Sequence, residues 1–367
     1  MKADNITTNE GSQGNTLVII ILIMALFIRF VYVYKTKEKI PDATVVKITS
    51  RVKSEPVVYE TAQYLKLVGY KVYLPLYPAI TYGDSVVIQG TTKENKIINP
   101  KLLDLQKNTN FAYVFREKII NFYSKTLPQP HASLLAGVTL GSKGHIPSEF
   151  FEKLKSSGTI HVVVASGMNV TLVGGFLMGL LILFFKRSTA IYLSLIGIWF
   201  YALLAGFDPP IIRAAIMGSI AFSAVILGKA NFALRALLVS AYLMLFINPA
   251  WIGDLGFILS FVATLSLILF TTKTDRLVTF LPRFLRSDVS STLAAQIGVA
   301  PILFATFGRF NPLSIVANAL ILWTIPIITV LGMVAGLISM VSEPLAGIFL
   351  YLTYPLTSWF IFIVNFF

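Results

Sequence analysis

The chain has 367 residues, of which 56% are hydrophobic and 13% charged, with 30 Lys and Arg against 17 Asp and Glu for a net charge of +13. A soluble domain carries about 25% charged residues, so the composition excludes one and indicates an integral membrane protein. The chain has no cysteine, which rules out disulfides and thiolate metal sites.

In chain order, the first apolar segment covers 16–34, "TLVIIILIMALFIRFVYVY". It is long enough to cross a bilayer and has no small-residue cleavage site behind it. Residues 1–39 therefore read as a tail and a retained membrane anchor.

From 40 to 108 the hydrophobicity falls. Short alternating runs, "ATVVKITSRV", "QYLKLV", "YKVYLPLY" and "DSVVIQGTT", are separated by Gly, Pro and Asp turns. Such alternation predicts strands, and about five of them in about 60 residues suit a small closed β-barrel of the oligonucleotide-binding (OB) type. The segment is basic and holds Tyr59, Tyr64, Tyr70, Tyr73, Tyr77 and Tyr82 among its lysines. Aromatic platforms beside cations hold single-stranded nucleic acid. The same residues also serve the simpler purpose of filling and solubilising a half-buried barrel.

Residues 109–130 include "NFAYVFREKIINFYSKTL", where Phe111, Phe115, Ile119 and Phe122 share a helical face and Arg116, Lys118 and Lys125 lie elsewhere. This predicts an amphipathic helix, lying in the membrane interface or packed on a bundle.

Residues 131–367 form a multi-helix membrane domain, with apolar segments near 160–185, 189–207, 210–228, 232–248, 254–271, 290–308, 312–340 and 344–366. With the anchor, the expected fold is mainly α: a polytopic helical membrane protein of about nine spans carrying a small extracytoplasmic β-barrel insert. Basic loops follow every second span: Lys186 and Arg187; Lys229 and Arg235; Lys273, Arg276, Arg283 and Arg286. The intervening loops "GFDPP", "NPAWIGD" and "GRFNP" are poor in Lys and Arg. The positive-inside rule places the basic set in the cytoplasm and residues 35–158 outside. Lys35, Lys37 and Lys39, against Lys2 alone in the tail, run the other way, and the three later loops outweigh them.

Polar groups in hydrocarbon are costly and usually face a cavity or another helix. The run "SSGTIHVVVASGMNVTLVGG", at 156–175, places His161, Ser166 and Asn169 in apolar surroundings. On a continuous helix Thr159, Ser166 and Asn169 share a face and His161 lies about 140° from Ser166. Gly158 and Gly167 are placed to break that helix, and broken helices line cavities with backbone amides; the alternative is hydrogen bonding between helices. In "GFDPPIIRAA", Asp208 is placed to cap a helix starting at Pro209, leaving Arg213 one turn inside, where it meets phosphate or snorkels to the interface. Asp254 caps its own helix or pairs with Arg213. Gln296 and Asn318 lie among Pro301, Pro312 and Pro326, which argue against straight helices, and they line a path or bridge helices.

Four stretches carry a family resemblance. "LLAGVTLGSKGHIPSEFFEKLKSSGTIHVVVASGMNV", "AGFDPPIIRAAIMG", "NPAWIGDLGFILSFVATLSLILF" and "AQIGVAPILFATFGRFNPLSIVANALILWTIP" are similar to blocks of the ComEC/Rec2 family of competence proteins. The third is the most specific, with Asn-Pro, Asp-x-Gly-Phe and Leu-Ser-Phe-x-Ala-Thr in the family's order. The resemblance implies a multi-pass inner-membrane channel that conducts single-stranded DNA into the cytoplasm, with His161, Ser166, Gly167, Asn169, Arg213, Asp254, Gln296 and Asn318 as candidates for its path. Asn169 stands where members often have a second histidine, and Ser142 where they have an acid.

Many members end in a metallo-β-lactamase-like domain; this chain stops at Phe367, and its three histidines, His131, His145 and His161, make no HxHxDH-like cluster. The expectation is a form without its own nuclease, with no cofactor or metal, and not an enzyme. No GxxxxGK[ST] occurs, so a pulling motor must be a separate cytoplasmic protein. The resemblance implies single-stranded DNA and membrane lipid as partners, with a DNA receptor and a helicase-type motor; a separate nuclease and a homo-oligomer are further expectations. Two other functions compete: a transporter for another polyanionic or lipid-linked substrate, and an intramembrane serine protease. The protease is disfavoured, because Val164 stands where a rhomboid-like glycine belongs and no histidine follows His161.

Overall fold

The computed structural model describes residues 7–35, 41–52, 55–58, 61–144, 146–163, 167–226, 233–307 and 313–367. His145, Ser166 and Tyr59 lie outside them. The chain opens with helix α1 (Thr7–Lys35), which exposes Ile20, Ile23, Phe27 and Tyr32, as a lipid-facing anchor does. Its Arg29 Nε donates to the Phe246 carbonyl at 3.2 Å, tying the anchor to the bundle.

Six strands follow: β1 (Val45–Arg51), β2 (Val57–Val58), β3 (Ala62–Leu67), β4 (Tyr70–Pro75), β5 (Ser85–Lys93) and β6 (Lys96–Gln106). They form one sheet in the order β1-β5-β6-β4-β3-β2. All neighbours are antiparallel except β4 and β6, which run parallel through Lys71↔Lys96 and Val72↔Ile97. The alternation read from the sequence is real: Leu65, Leu67, Val72, Leu74, Val86 and Ile88 point into one apolar core while Lys66, Lys71 and Tyr73 point out. The β3–β4 hairpin turns on Val68 and Gly69, both at positive φ (50° and 92°), the twist that suits a two-residue turn. β6 was not marked as a strand by the sequence pattern. Pro100 interrupts its ladder, and the β5–β6 register shifts between Gln89 and Thr91 to accommodate it.

The helical part comprises α2 (Phe111–Thr126), α3 (His131–Leu140), α4 (Ser148–Ser156), α5 (Ile160–Val163), α6 (Gly167–Leu181), α7 (Arg187–Leu204), α8 (Pro209–Ile226), α9 (Ala233–Ile247), α10 (Leu255–Leu277), α11 (Arg283–Phe307), α12 (Ser314–Ile321), α13 (Thr324–Ile338) and α14 (Glu343–Phe366). Among the described residues four helices are long and apolar enough to cross a membrane: α7, α10, Arg286–Thr306 of α11, and α14. The pair α12 and α13, bent by 48°, makes a fifth span if taken as one. α3, α6, α9 and Pro209–Ala224 of α8 are apolar but shorter. The structure is thus mainly helical with a small sheet, and among the described residues four or five helices are both long and apolar enough for a span.

α2 packs on the bundle. Ile119, Ile120, Phe122 and Tyr123 are buried, and the Tyr123 hydroxyl donates to the Gly332 carbonyl at 2.7 Å. Small residues on α13 allow this approach: a Cβ on Gly332 would lie 2.6 Å from Thr139 Cγ2, and one on Gly336 2.9 Å from both Ile119 Cγ2 and the Tyr123 hydroxyl. At the α12–α13 bend the Leu320 carbonyl accepts from the indole N–H of Trp323 and of Trp359, each at 2.8 Å. These two donors satisfy a carbonyl that the kink exposes.

Candidate functional site

The β-unit meets the bundle through Glu55, which sits between β1 and β2. Its Oε1 lies 2.6 Å from Arg116 Nη2 on α2, while Oε2 accepts from the backbone N–H of Gly144, at 2.8 Å, and of Lys143. These amides face the sheet because α3 ends on Gly141, whose left-handed conformation (φ 69°) turns the chain. Burial pushes the Glu55 carboxyl up, but the Arg116 charge and the two amides outweigh it and hold the group below the ordinary carboxylate range.

The Tyr82 ring lies 5.5 Å from the Arg116 guanidinium and rests on Gly206, where a Cβ would come within 3.3 Å of it. Lys143 Nζ pairs with Asp208 at 2.7 Å. Asp208 therefore does not cap α8 with its side chain as the sequence suggested: its carboxylate turns to Lys143, and its carbonyl accepts from Ile211 and Ile212 instead. These contacts place the loop around Asp208 on the same side of the bundle as the sheet. A groove of about 290 Å³ runs along the junction, lined by Pro56, Leu76, Tyr77, Ile80 and Tyr82 among others.

The outer face of the β3–β4 hairpin carries a second feature. Tyr64 stands opposite Tyr73, and Lys66 opposite Lys71, so all four share one face. The two tyrosine rings are 5.2 Å apart, and Lys96 of β6 lies beside Lys71 in the parallel register. Tyr77, further along, is 84% exposed. Of the tyrosines noted in the sequence, Tyr70 packs against the core, Tyr82 docks on the bundle, and Tyr64, Tyr73 and Tyr77 belong to the outside.

Inside the bundle, the 160–185 segment is helical over Ile160–Val163 and Gly167–Leu181, and the expected break at Ser166 and its neighbours 164 and 165 lies outside the described residues. Asn169, fully buried, donates through Nδ2 to the Val138 carbonyl at 2.9 Å and so fastens α6 to α3. Gly167 meets Arg213, since a Cβ there would lie 2.5 Å from Arg213 Nη2. Arg213 is 9% exposed; its Nε donates to Ser260 Oγ at 2.7 Å and its Nη1 to Met217 Sδ at 3.4 Å. A charged side chain within a span costs about 2.5–3.5 kcal/mol at the membrane centre, and neither partner neutralises it. Asp254 does not pair with Arg213. Its Oδ1 accepts from Phe257 N at 3.0 Å, making it the N-cap of α10.

A second polar seam joins His161 and Gln296. Gln296 Nε2 donates to Ser314 Oγ at 3.0 Å, and the Ser314 side chain lies against Gly158, 2.5 Å from where a Cβ would be. His161 Nδ1 donates to the Gly158 carbonyl at 3.0 Å, which assigns the neutral ring its Nδ1–H tautomer and leaves Nε2 as an acceptor. Asn318 on α12 is 2% exposed, and nothing among the described residues meets its Oδ1. The structure thus brings Gly167 to Arg213 and His161 towards Gln296, while the hydrogen bonds described for Asn169 and Asp254 go to Val138 and Phe257 instead. Sequence reading missed Glu55, which carries no motif, placed Ser260 and Ser314 in family stretches without giving them a role, and took Arg116 for a surface cation.

Residues 138–367 match the Competence protein family, more than half of the chain. The chain belongs to that family. Its family segment contains α4 to α14, with His161, Gly167, Asn169, Arg213, Asp254, Gln296 and Asn318. ComE operon protein 3 of Bacillus subtilis (strain 168) is 28% identical over 233 residues, 62% of this chain and 30% of that protein. An uncharacterized protein of Aquifex aeolicus (strain VF5) is 29% identical over 274 residues, 71% of this chain and 62% of that protein. The chain spans less than two thirds of either relative. No solved structure matches it. Apolar helices and family together make this a membrane protein of the Competence family.

Proposed function

We propose that the chain is a non-catalytic conduit for single-stranded DNA moving inward across the inner membrane during competence. The observation that carries this reading is the outward face of β3 and β4, where the tilted rings of Tyr64 and Tyr73 lie together beside Lys66, Lys71 and Lys96. Aromatic rings take base faces and the cations take phosphates, the combination that single-stranded nucleic acid requires. Family membership and the B. subtilis relative support the link to DNA uptake.

The sheet is an OB-type barrel in this proposal. β1 pairs with β5 at one edge of the sheet and β2, a few residues further along the chain, with β3 at the other, and β4 pairs with β6 in parallel. In such barrels the second and third strands form the binding face, here β3 and β4. Residues 35–158 are extracytoplasmic. The sheet, the Asp208 loop and the end of α1 at Phe246 lie at one end of the bundle, and the basic turns after α6 and α10 at the other, as the positive-inside rule requires. The shorter apolar helices complete about nine spans. A DNA receptor delivers the strand, a helicase-type motor pulls it, and a separate nuclease and self-association complete the machinery.

The test is the full chain in a planar bilayer, with oligothymidylate on the side of the sheet and voltage as the driving force. Transient current blockades that become rarer with Tyr73→Ala and with Lys66→Gln plus Lys71→Gln support the reading. No blockade by single strands, or blockades by any polyanion unaffected by these variants, removes DNA in favour of a general polyanion or lipid-linked substrate.

A further inference from the structure

Helices α2 and α3 form a hairpin whose two ends meet at one place. Arg116, in the second turn of α2, pairs with Glu55, and the same carboxylate accepts from the amides of Lys143 and Gly144, just beyond α3. The tip lies far from that point. His131, at the start of α3, is hydrogen-bonded through Nδ1 to Thr357 Oγ1 at 2.9 Å and stacks on Tyr354, with ring centroids 4.4 Å apart. Thr357 is about 21 Å along α14 at 1.5 Å per residue, past the middle of a helix long and apolar enough to span. On the way α2 passes Gly336 and Gly332 of α13. The hairpin thus enters the membrane bundle from the sheet side and turns back within it.

One face of α2, with Ile119, Phe122 and Tyr123, is buried against the bundle. The other face is open and hydrophilic. Lys118, Asn121 and Lys125 fall within about 60° of one another at 100° per residue. All three are exposed, and exposed Ser124 and Gln129 continue the polar surface to the tip. No carboxylate among the described residues pairs with either lysine. Hydrocarbon is an unfavourable surrounding for such a stripe. Lys118 is near enough to the sheet end to extend its ammonium into the interface, but Asn121 and Gln129 have no such reach. The groove at the sheet junction is lined by Glu117, the residue before Lys118, so the stripe continues inward from it.

We infer that the exposed face of α2 is one wall of a water-filled passage inside the membrane bundle, where Lys118 and Lys125 hold phosphodiester groups of a strand moving along it. The lysines stand two turns, about 10 Å, apart. The identity of the anion rests on the DNA reading; the hydrated wall rests on the stripe alone.

The chain has no cysteine, so single cysteines report position by position. Asn121→Cys and Gln129→Cys, in the full chain reconstituted in liposomes, are treated from both sides with a membrane-impermeant charged methanethiosulfonate, which reacts only where water reaches the thiol. Leu352→Cys, at an exposed leucine of α14 close to the level of Tyr354, is the lipid-facing control. Both reporters are expected to react and the control is not. Oligothymidylate should slow the reaction of Asn121→Cys, and the same strand with uncharged methylphosphonate linkages should not. Adding Lys118→Gln and Lys125→Gln should lower the salt slope of this protection by about 1.4, from about 0.7 per phosphate contact.

Reaction slowed by polyphosphate but not by oligothymidylate supports the wall with another polyanion as its cargo and removes DNA. Protection by oligothymidylate that is the same with and without the lysines overturns the site and leaves the DNA reading standing. Reaction that neither polyanion slows also overturns the site, and the current blockades described above then decide the DNA reading separately. Absence of reaction at both reporters in liposomes overturns the wall. Lipid is then identified as the cover by reaction in detergent, and a second copy of the chain by a disulfide between two Asn121→Cys chains on mild oxidation.

Discussion

Glu55 and Arg116 lock the β-unit to the bundle with a 2.6 Å ion pair whose side chains are only 10% and 3% exposed. A pair this deep is held by geometry: the carboxylate collects two backbone amides besides the guanidinium. Removing one partner is therefore worse than removing both. Glu55→Gln should destabilise the chain by about 3–5 kcal/mol and release the β-unit to protease, whereas Glu55→Leu with Arg116→Leu should cost less. Thermal unfolding with limited proteolysis reads both effects.

The same pair predicts a pH response. The Glu55 carboxyl is held below its ordinary value, about 4.3 when unfolded, so its contribution is complete above that value and fades as pH falls through the folded one. The stability gap between wild type and Glu55→Gln should be constant near neutrality and shrink below about pH 4. A gap that widens in acid would contradict the account.

Replacing Gly332 or Gly336 by Ala should force α13 away from α3 and α2, because the added carbons would fall 2.6 Å from Thr139 Cγ2 and 2.9 Å from Ile119 Cγ2. Overpacking of this kind costs about 1–3 kcal/mol. The loss is read as a lower melting temperature in detergent, with Gly175→Ala, where nothing lies within 4 Å, as the unaffected control.

Asp254 and Asn169 should separate when mutated. Asp254→Ala removes the α10 cap at a cost of about 1 kcal/mol, and Asp254→Ser restores most of it. Asn169→Ala orphans the buried Val138 carbonyl and should cost about 1–3 kcal/mol. DNA transfer per folded molecule should be unchanged by Asp254→Ser, which tests its role as a cap against a role in the path.

On the β-unit, Lys66→Gln with Lys71→Gln removes two cations from the tyrosine face. The slope of log binding constant against log salt for oligothymidylate should fall by about 1.4, from about 0.7 per phosphate contact on single strands. Tyr73→Ala should weaken binding by about 1–3 kcal/mol with the slope unchanged.

The helical membrane class and the β insert were legible because hydrophobicity and periodicity are local properties. The strand of Lys96–Gln106 was not, since Pro100 hides its alternation and a register shift in its partner absorbs the proline. In the site, Arg213 stood out as a cation in hydrocarbon and Gly167 as a glycine in an apolar run, but their meeting is a property of packing between α6 and α8. Glu55 lies 61 positions before Arg116 and has no motif, so only the folded chain joins them. Asp254 was legible as a cap or as a partner for Arg213, and the Phe257 amide decides for the cap.

The central claim is tested most directly by nuclease-protected, fluorescent DNA reaching the cytoplasm of cells that carry a clean deletion, complemented by wild type or by Glu55→Gln, Tyr73→Ala and Arg213→Gln variants that reach the membrane. The account predicts that deletion abolishes transfer, wild type restores it, and each variant restores less than its amount in the membrane allows. Transfer that persists in the deletion strain would contradict it.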